Sequence, residues 1–160
     1  PFILRKIPHA SFLILGGGEY EQNLKNIVRS LHISKHVIFS GWISDQKKIQ
    51  QLLIRCKVAV ATYDPSGENQ SNFSYYADPT KIKVYLSCGL PVVMTHVPYN
   101  AYELSKKKCA IVVDYKPEHV AKEIIFLLRN PRKLDIYRKN AIQAAKYFTW
   151  EKIFERATGL

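Results

Sequence analysis

Asp78-Pro79-Thr80-Lys81-Ile82-Lys83-Val84-Tyr85-Leu86-Ser87-Cys88-Gly89-Leu90-Pro91-Val92-Val93-Met94 is the stretch that decides the fold. An aspartate at its head suits a helix cap, and Pro79 follows where the first helical residue has no use for its N–H. Gly89 falls just past the helix, where a left-handed residue is wanted. Pro91-Val92-Val93-Met94 is then a short, wholly apolar run of the kind that forms a strand buried on both faces of a parallel sheet. Helix, glycine stop and buried strand in that order make one crossover of an α/β fold. The helix start also has chemistry. Free N–H groups at Thr80 and Lys81, together with the Lys81 ammonium, make a cradle for phosphate. A purely structural reading, with Asp78 capping the helix and Lys81 solvated, stands evenly beside it.

The same pattern recurs on either side of this stretch. Phe12-Leu13-Ile14-Leu15, Val37-Ile38-Phe39, Val58-Ala59-Val60-Ala61 and Ala110-Ile111-Val112-Val113 are further apolar runs. Between them, Leu24, Ile27, Val28 and Leu31 take the spacing of one helix face, as do Ile49, Leu52, Leu53 and Cys56. Val120, Ile124, Leu127 and Leu128 mark another helix; Trp150, Ile153, Phe154 and Ala157 mark the last, with Thr149 placed to cap it. Pro117 and Pro131 each stand at a first helical position. Strand–helix alternation with short loops specifies right-handed crossovers and a doubly wound, Rossmann-like parallel sheet in one domain spanning residues 1–160. The exception to short loops is Asp64 to Asp78, a polar segment over the strand ends, where such folds bind ligands.

Composition narrows the function classes. The 160 residues include 24 Lys+Arg and 13 Asp+Glu, a net charge of +11; 47% are apolar and 23% charged. Those proportions exclude a disordered or fibrous chain. No apolar run is long enough to span a membrane, and the first residues lack the apolar stretch and cleavage site of a signal peptide. Cys56, Cys88 and Cys109 are odd in number and far apart, so they read as reduced thiols of a cytoplasmic protein, with neither a disulfide framework nor a metal site expected. The positive charges are scattered over helix faces without aromatic interleaving, which argues against nucleic acid. Weak contact with an anionic membrane surface is a secondary expectation.

Two other turns are candidate sites. Gly16-Gly17-Gly18 permits a tight strand-to-helix turn, but Glu19 and Glu21 beside it would repel phosphate, and a structural turn is the better reading. In Ser40-Gly41-Trp42-Ile43-Ser44, Gly41 allows close backbone approach and Trp42 offers a face for a flat ring, although a lone tryptophan more often only packs.

Taken in order, Phe12-Leu-Ile-Leu-Gly-Gly-Gly, Val37-Ile-Phe-Ser-Gly-Trp-Ile, Lys81-Ile-Lys-Val-Tyr-Leu-Ser-Cys-Gly-Leu-Pro-Val-Val and Tyr147-Phe-Thr-Trp resemble the C-terminal domain of the family-4, or group 1, GT-B glycosyltransferases. The most specific piece is Tyr85-Leu-Ser-Cys-Gly-Leu-Pro-Val-Val, and the resemblance runs from Pro8 to Phe154. It implies a domain that binds a nucleotide-sugar donor, UDP or GDP type, as substrate and needs no further cofactor. Transfer would go, with retention, to a glycan or lipid-linked acceptor held by a separate N-terminal domain. By the same resemblance Gly41, Trp42 and Ile43 hold the base, and Asp78, Thr80 and Lys81 meet the diphosphate.

There are departures. The family carries two glutamates with seven residues between them; Tyr76 and Val84 occupy those positions here. Tyr76 keeps a hydroxyl for the sugar or its phosphate, whereas Val84 has nothing to accept hydrogen bonds from a ribose. Glu68 or Asp78 are candidate substitutes. The chain also begins near the end of the family's first helix, so the first strand, that helix and its basic pair are expected on a longer two-domain protein, with the 160 residues alone inactive. Three alternatives stand beside this reading: another GT-B enzyme such as a UDP-N-acetylglucosamine 2-epimerase, a non-catalytic binding module descended from a transferase, and a basic scaffold that binds any polyanion.

Overall fold

The computed structural model of the chain describes residues 1–64 and 79–159. It comprises two compact units, Pro1–Leu52 and Leu53–Leu160. Among the described residues no helix is long and apolar enough to cross a membrane.

In the first unit, β1 (Phe12–Ile14) pairs in parallel with β2 (Val37–Phe39), Phe12 opposite Val37 and Ile14 opposite Phe39. Helix α1 (Glu21–Ser30) lies between them in sequence, with Glu21 in its first turn and Arg29 in its last, each complementing the helix dipole. Helix α2 (Gln46–Leu53) runs from the end of this unit to Leu53, the first residue of the next. It stops before Cys56, which closes a tighter turn by donating its N–H to the Leu53 carbonyl at 2.8 Å, so the expected stripe loses its last member. These strands were expected to be buried on both faces, and they are not. No residue of the first unit is buried; Phe12 is 51% and Ile38 54% exposed, and Leu24, Ile27 and Leu31 of the α1 stripe are exposed as well. A two-stranded ladder has no interior strand, so both of its strands are edges with too few neighbours to enclose them.

The second unit holds the core. Its sheet has the order β3 (Ala59–Ala61), β4 (Val92–Met94), β5 (Ala110–Val112), all parallel, with Ala61, Met94 and Val112 in register. Around it come α3 (Thr80–Ser87), α4 (Ala101–Lys106), α5 (Pro117–Arg129), α6 (Pro131–Ala145) and α7 (Trp150–Thr158). Every side chain of β4 is fully buried, and Leu86, Leu90, Leu104, Leu127 and Ala141 close over the sheet with no exposed area. Parallel pairing in both ladders agrees with the strand–helix alternation.

The deciding stretch folds nearly as read. Helix α3 packs on α6 and ends in a Schellman turn: Leu90 N–H reaches the Tyr85 carbonyl and Gly89 N–H the Leu86 carbonyl, both at 2.9 Å. Gly89 has φ +68°, and a Cβ there would lie 3.3 Å from Ile142 of α6, so glycine serves both the left-handed backbone and the helix contact. Pro79, expected as the first helical residue, is not part of the helix. It stands one residue outside the helix, extended at φ −71° and ψ 109°, and its carbonyl accepts the first helical bond from Ile82 N–H at 3.0 Å. Pro117 and Pro131 do open α5 and α6. Thr149 caps α7, accepting from Lys152 N–H at 3.4 Å.

Candidate functional site

The carboxyl ends of parallel strands are where α/β folds leave room for ligands. In the second unit those ends are occupied by Tyr63, two residues after β3, and Thr95, directly after β4. Thr95 is fully buried, and its hydroxyl is matched at both of its functions: it accepts from Tyr63 N–H at 2.9 Å and donates to the Tyr63 carbonyl at 2.8 Å. This reciprocal pair fixes the backbone of Tyr63 to β4.

The start of α3 lies at the same end. With Ile82 making the first intrahelical bond, the amides of Thr80 and Lys81 belong to the helix end that has no partner within the helix. Thr80 is exposed and Val84 half-buried. The Lys81 ammonium lies 4.4 Å from the centre of the Tyr63 ring. Lys81 is exposed as a residue, yet its charged end is shielded enough that desolvation lowers its pKa from the usual lysine value. Desolvation pushes the Tyr63 hydroxyl up to about 12, with Tyr85 adding to the rise, so Tyr63 is neutral wherever proteins work. The buried Tyr63 hydroxyl oxygen has no hydrogen-bond partner among the described residues.

The first unit holds the other turn. Gly41, at φ +65°, accepts from Gly16 N–H at 3.1 Å, and Ser40 N–H donates to the Ile14 carbonyl at 3.0 Å, which ties the ends of β1 and β2 together. Trp42 is 82% exposed and Ile43 half-buried, so the indole face is open to solution. A Cβ on Gly17 would stand 3.1 Å from a Glu21 carboxylate oxygen. The glycine turn therefore carries an acid where a phosphate would have to sit, in keeping with its structural reading.

Of the residues expected at the site, Thr80, Lys81 and Val84 fall together on α3, while Gly41, Trp42 and Ile43 fall together in the first unit. Tyr76 and Asp78, with Glu68, lie outside the described residues. Tyr63 and Thr95 were not foreseen. The available signal was their position just past two apolar runs, at the strand ends where side chains face a ligand. No group of three or more His, Cys, Asp or Glu side chains that could hold a metal occurs among the described residues.

Comparison with known proteins completes the picture. None of the curated proteins matches the chain. Solved structures do. The pneumococcal O-GlcNAc transferase GtfA, in complex with UDP and GlcNAc, superposes with a TM-score of 0.69 at 17% identity, covering 98% of this chain and 30% of its own. Anabaena HepE in complex with UDP gives 0.72 at 18%, covering 99% and 44%, and sucrose-phosphate synthase from Thermosynechococcus elongatus gives 0.72 at 18%, covering 98% and 39%. The chain thus spans less than half the length of these structures, and the likeness establishes its α/β, GT-B type of fold. The family model described as "Glycosyl transferases group 1" matches residues 3–146, nearly the whole chain. On the strength of that match, the chain belongs to the group 1 glycosyl transferases.

Proposed function

We propose that the chain is the donor-binding part of a glycosyltransferase that takes a sugar from a nucleoside diphosphate and passes it, with retention, to a glycan or lipid-linked acceptor. The observation that carries this reading is the start of α3. The first amides of a helix and the Lys81 ammonium come together at the carboxyl end of a parallel sheet, and each favours negative charge. Catalysis in such a site is mostly positioning, together with stabilisation of the charge that develops on the departing diphosphate. In this reading Thr80 and Lys81 meet the diphosphate, Gly41, Trp42 and Ile43 serve the base, and Tyr76 and Asp78 stand near the sugar. The donor is a substrate, and no cofactor or metal is assigned.

The acceptor is assigned to a further domain of a longer protein, consistent with relatives that are more than twice as long. A cytoplasmic setting is supported by three cysteines that form no disulfide, and weak contact with an anionic membrane surface by the net charge of +11. A second reading, a binding module without turnover, is favoured by Val84, whose half-buried aliphatic side chain stands where the family has a glutamate.

Ligand-detected NMR of the chain with UDP-, GDP-, ADP- and dTDP-sugars tests the proposal. One nucleotide should bind selectively, and Lys81→Ala should weaken it about tenfold, or about 1.4 kcal/mol. A folded chain that binds none of them, or binds equally well without Lys81, overturns the reading. Binding without sugar transfer by the longer protein would favour the module.

A further inference from the structure

We infer that Tyr63 is a positioning residue: with its backbone pinned by Thr95, its ring holds the Lys81 ammonium at the mouth of α3 so that the charge stays in place and unneutralised for a diphosphate. The inference rests on the proposed donor-binding reading and deepens it.

Three observations support it. The first is rigidity. Tyr63 donates to and accepts from one buried hydroxyl, so its backbone cannot drift while β4 stays folded. The second is the nature of the partner. Lys25 pairs with the Glu21 carboxylate and Lys139 with that of Asp135, each one helical turn away. Among the described residues Lys81 has a ring face instead. A carboxylate there would cancel the charge and repel an incoming phosphate, whereas a ring quadrupole orders the ammonium and leaves its full charge available. The third is the state of the ring. With its hydroxyl held neutral, Tyr63 adds no competing negative charge. Among the described residues that buried hydroxyl has no hydrogen-bond partner, and the contact with Lys81 is made by the ring.

A double-mutant cycle on the full chain, read by titration with the UDP and GDP arms of the nucleotide panel, tests the idea. Tyr63→Leu should weaken binding about five- to tenfold, the range expected for a partly desolvated cation–ring contact. Tyr63→Phe should stay within about twofold of the parent, because the ring face is kept. Combining Tyr63→Leu with Lys81→Ala should add nothing to Lys81→Ala alone, since the ring acts through the ammonium.

An additive loss, or a Tyr63→Leu chain that binds like the parent while Lys81→Ala does not, overturns the positioning role and leaves the donor-binding reading intact. Failure of the parent to bind any nucleotide overturns both. If Tyr63→Leu fails to fold, the unsubstituted chain still decides. The ε-CH2 protons of Lys81 should be shifted upfield by the ring, and unshifted protons overturn the inference.

Discussion

Cys109 shows how a single buried group sets a pH limit on stability. It has no exposed area, its Sγ donates to the Leu104 carbonyl at 3.2 Å, and burial pushes its thiol up from an ordinary 9.0 to about 11. Well below pH 9 the thiol is protonated in both folded and unfolded chains and contributes no pH dependence. Between pH 9 and 11 the unfolded chain releases this proton while the folded chain keeps it, so stability falls as pH rises. Urea unfolding under reducing conditions should lose up to about 2 kcal/mol more between pH 8 and 10.5 in the parent than in Cys109→Ala. Equal losses in the two proteins would refute the assignment. At this scale much was legible from the chain alone. Gly89 as a left-handed stop and Thr149 as a cap are local requirements of the backbone, which neighbouring residues announce. The Tyr63–Thr95 clamp was not, because its partners lie 32 positions apart and meet only once β3 and β4 are side by side.

Elements were read well where local chemistry decides and less well where neighbours do. Pro117 and Pro131 open helices because a missing N–H costs nothing there, whereas Pro79 was displaced by one residue because its carbonyl is needed for the first bond of α3. Helix α7 offers a direct test of a local device. Thr149 accepts from Lys152 N–H, and the Glu151 carboxyl is held below its ordinary range by its own backbone N–H and by the Thr149 side chain. Around this cap Trp150 is 72% and Phe154 60% exposed, so little tertiary packing secures the helix. Replacing Thr149 by Ala should cost about 1 kcal/mol. The loss should appear as faster amide exchange confined to α7, with the global melting temperature nearly unchanged. Thr149→Ser should restore protection. A global destabilisation by Thr149→Ala would mean that α7 is folded with the core and that the cap argument is misplaced.

At the scale of the whole chain the contrast lies between the two units. The deciding stretch predicted a buried central strand, and β4 is one; the same pattern at Phe12–Leu15 and Val37–Phe39 predicted burial that the first unit does not supply. An apolar run records what a strand is suited to, while burial depends on how many neighbours it acquires, and two strands acquire few. Among the described residues, every buried apolar side chain lies at or beyond Leu53. At roughly 25 cal/mol per Å² of apolar surface removed from water, cooperative stability belongs to the second unit. Amides of β3, β4, β5 and α3 should therefore exchange only through global unfolding, whereas those of β1, β2 and α1 should open locally and exchange at least about a hundredfold faster. Native-state hydrogen exchange by mass spectrometry, with light scattering at the same concentrations, checks this. Equal protection in a monomer would show that the first unit is stabilised by more than its burial accounts for. Equal protection that appears only where scattering reports larger particles would show instead that its exposed Phe12, Ile27 and Ile38 are covered by association.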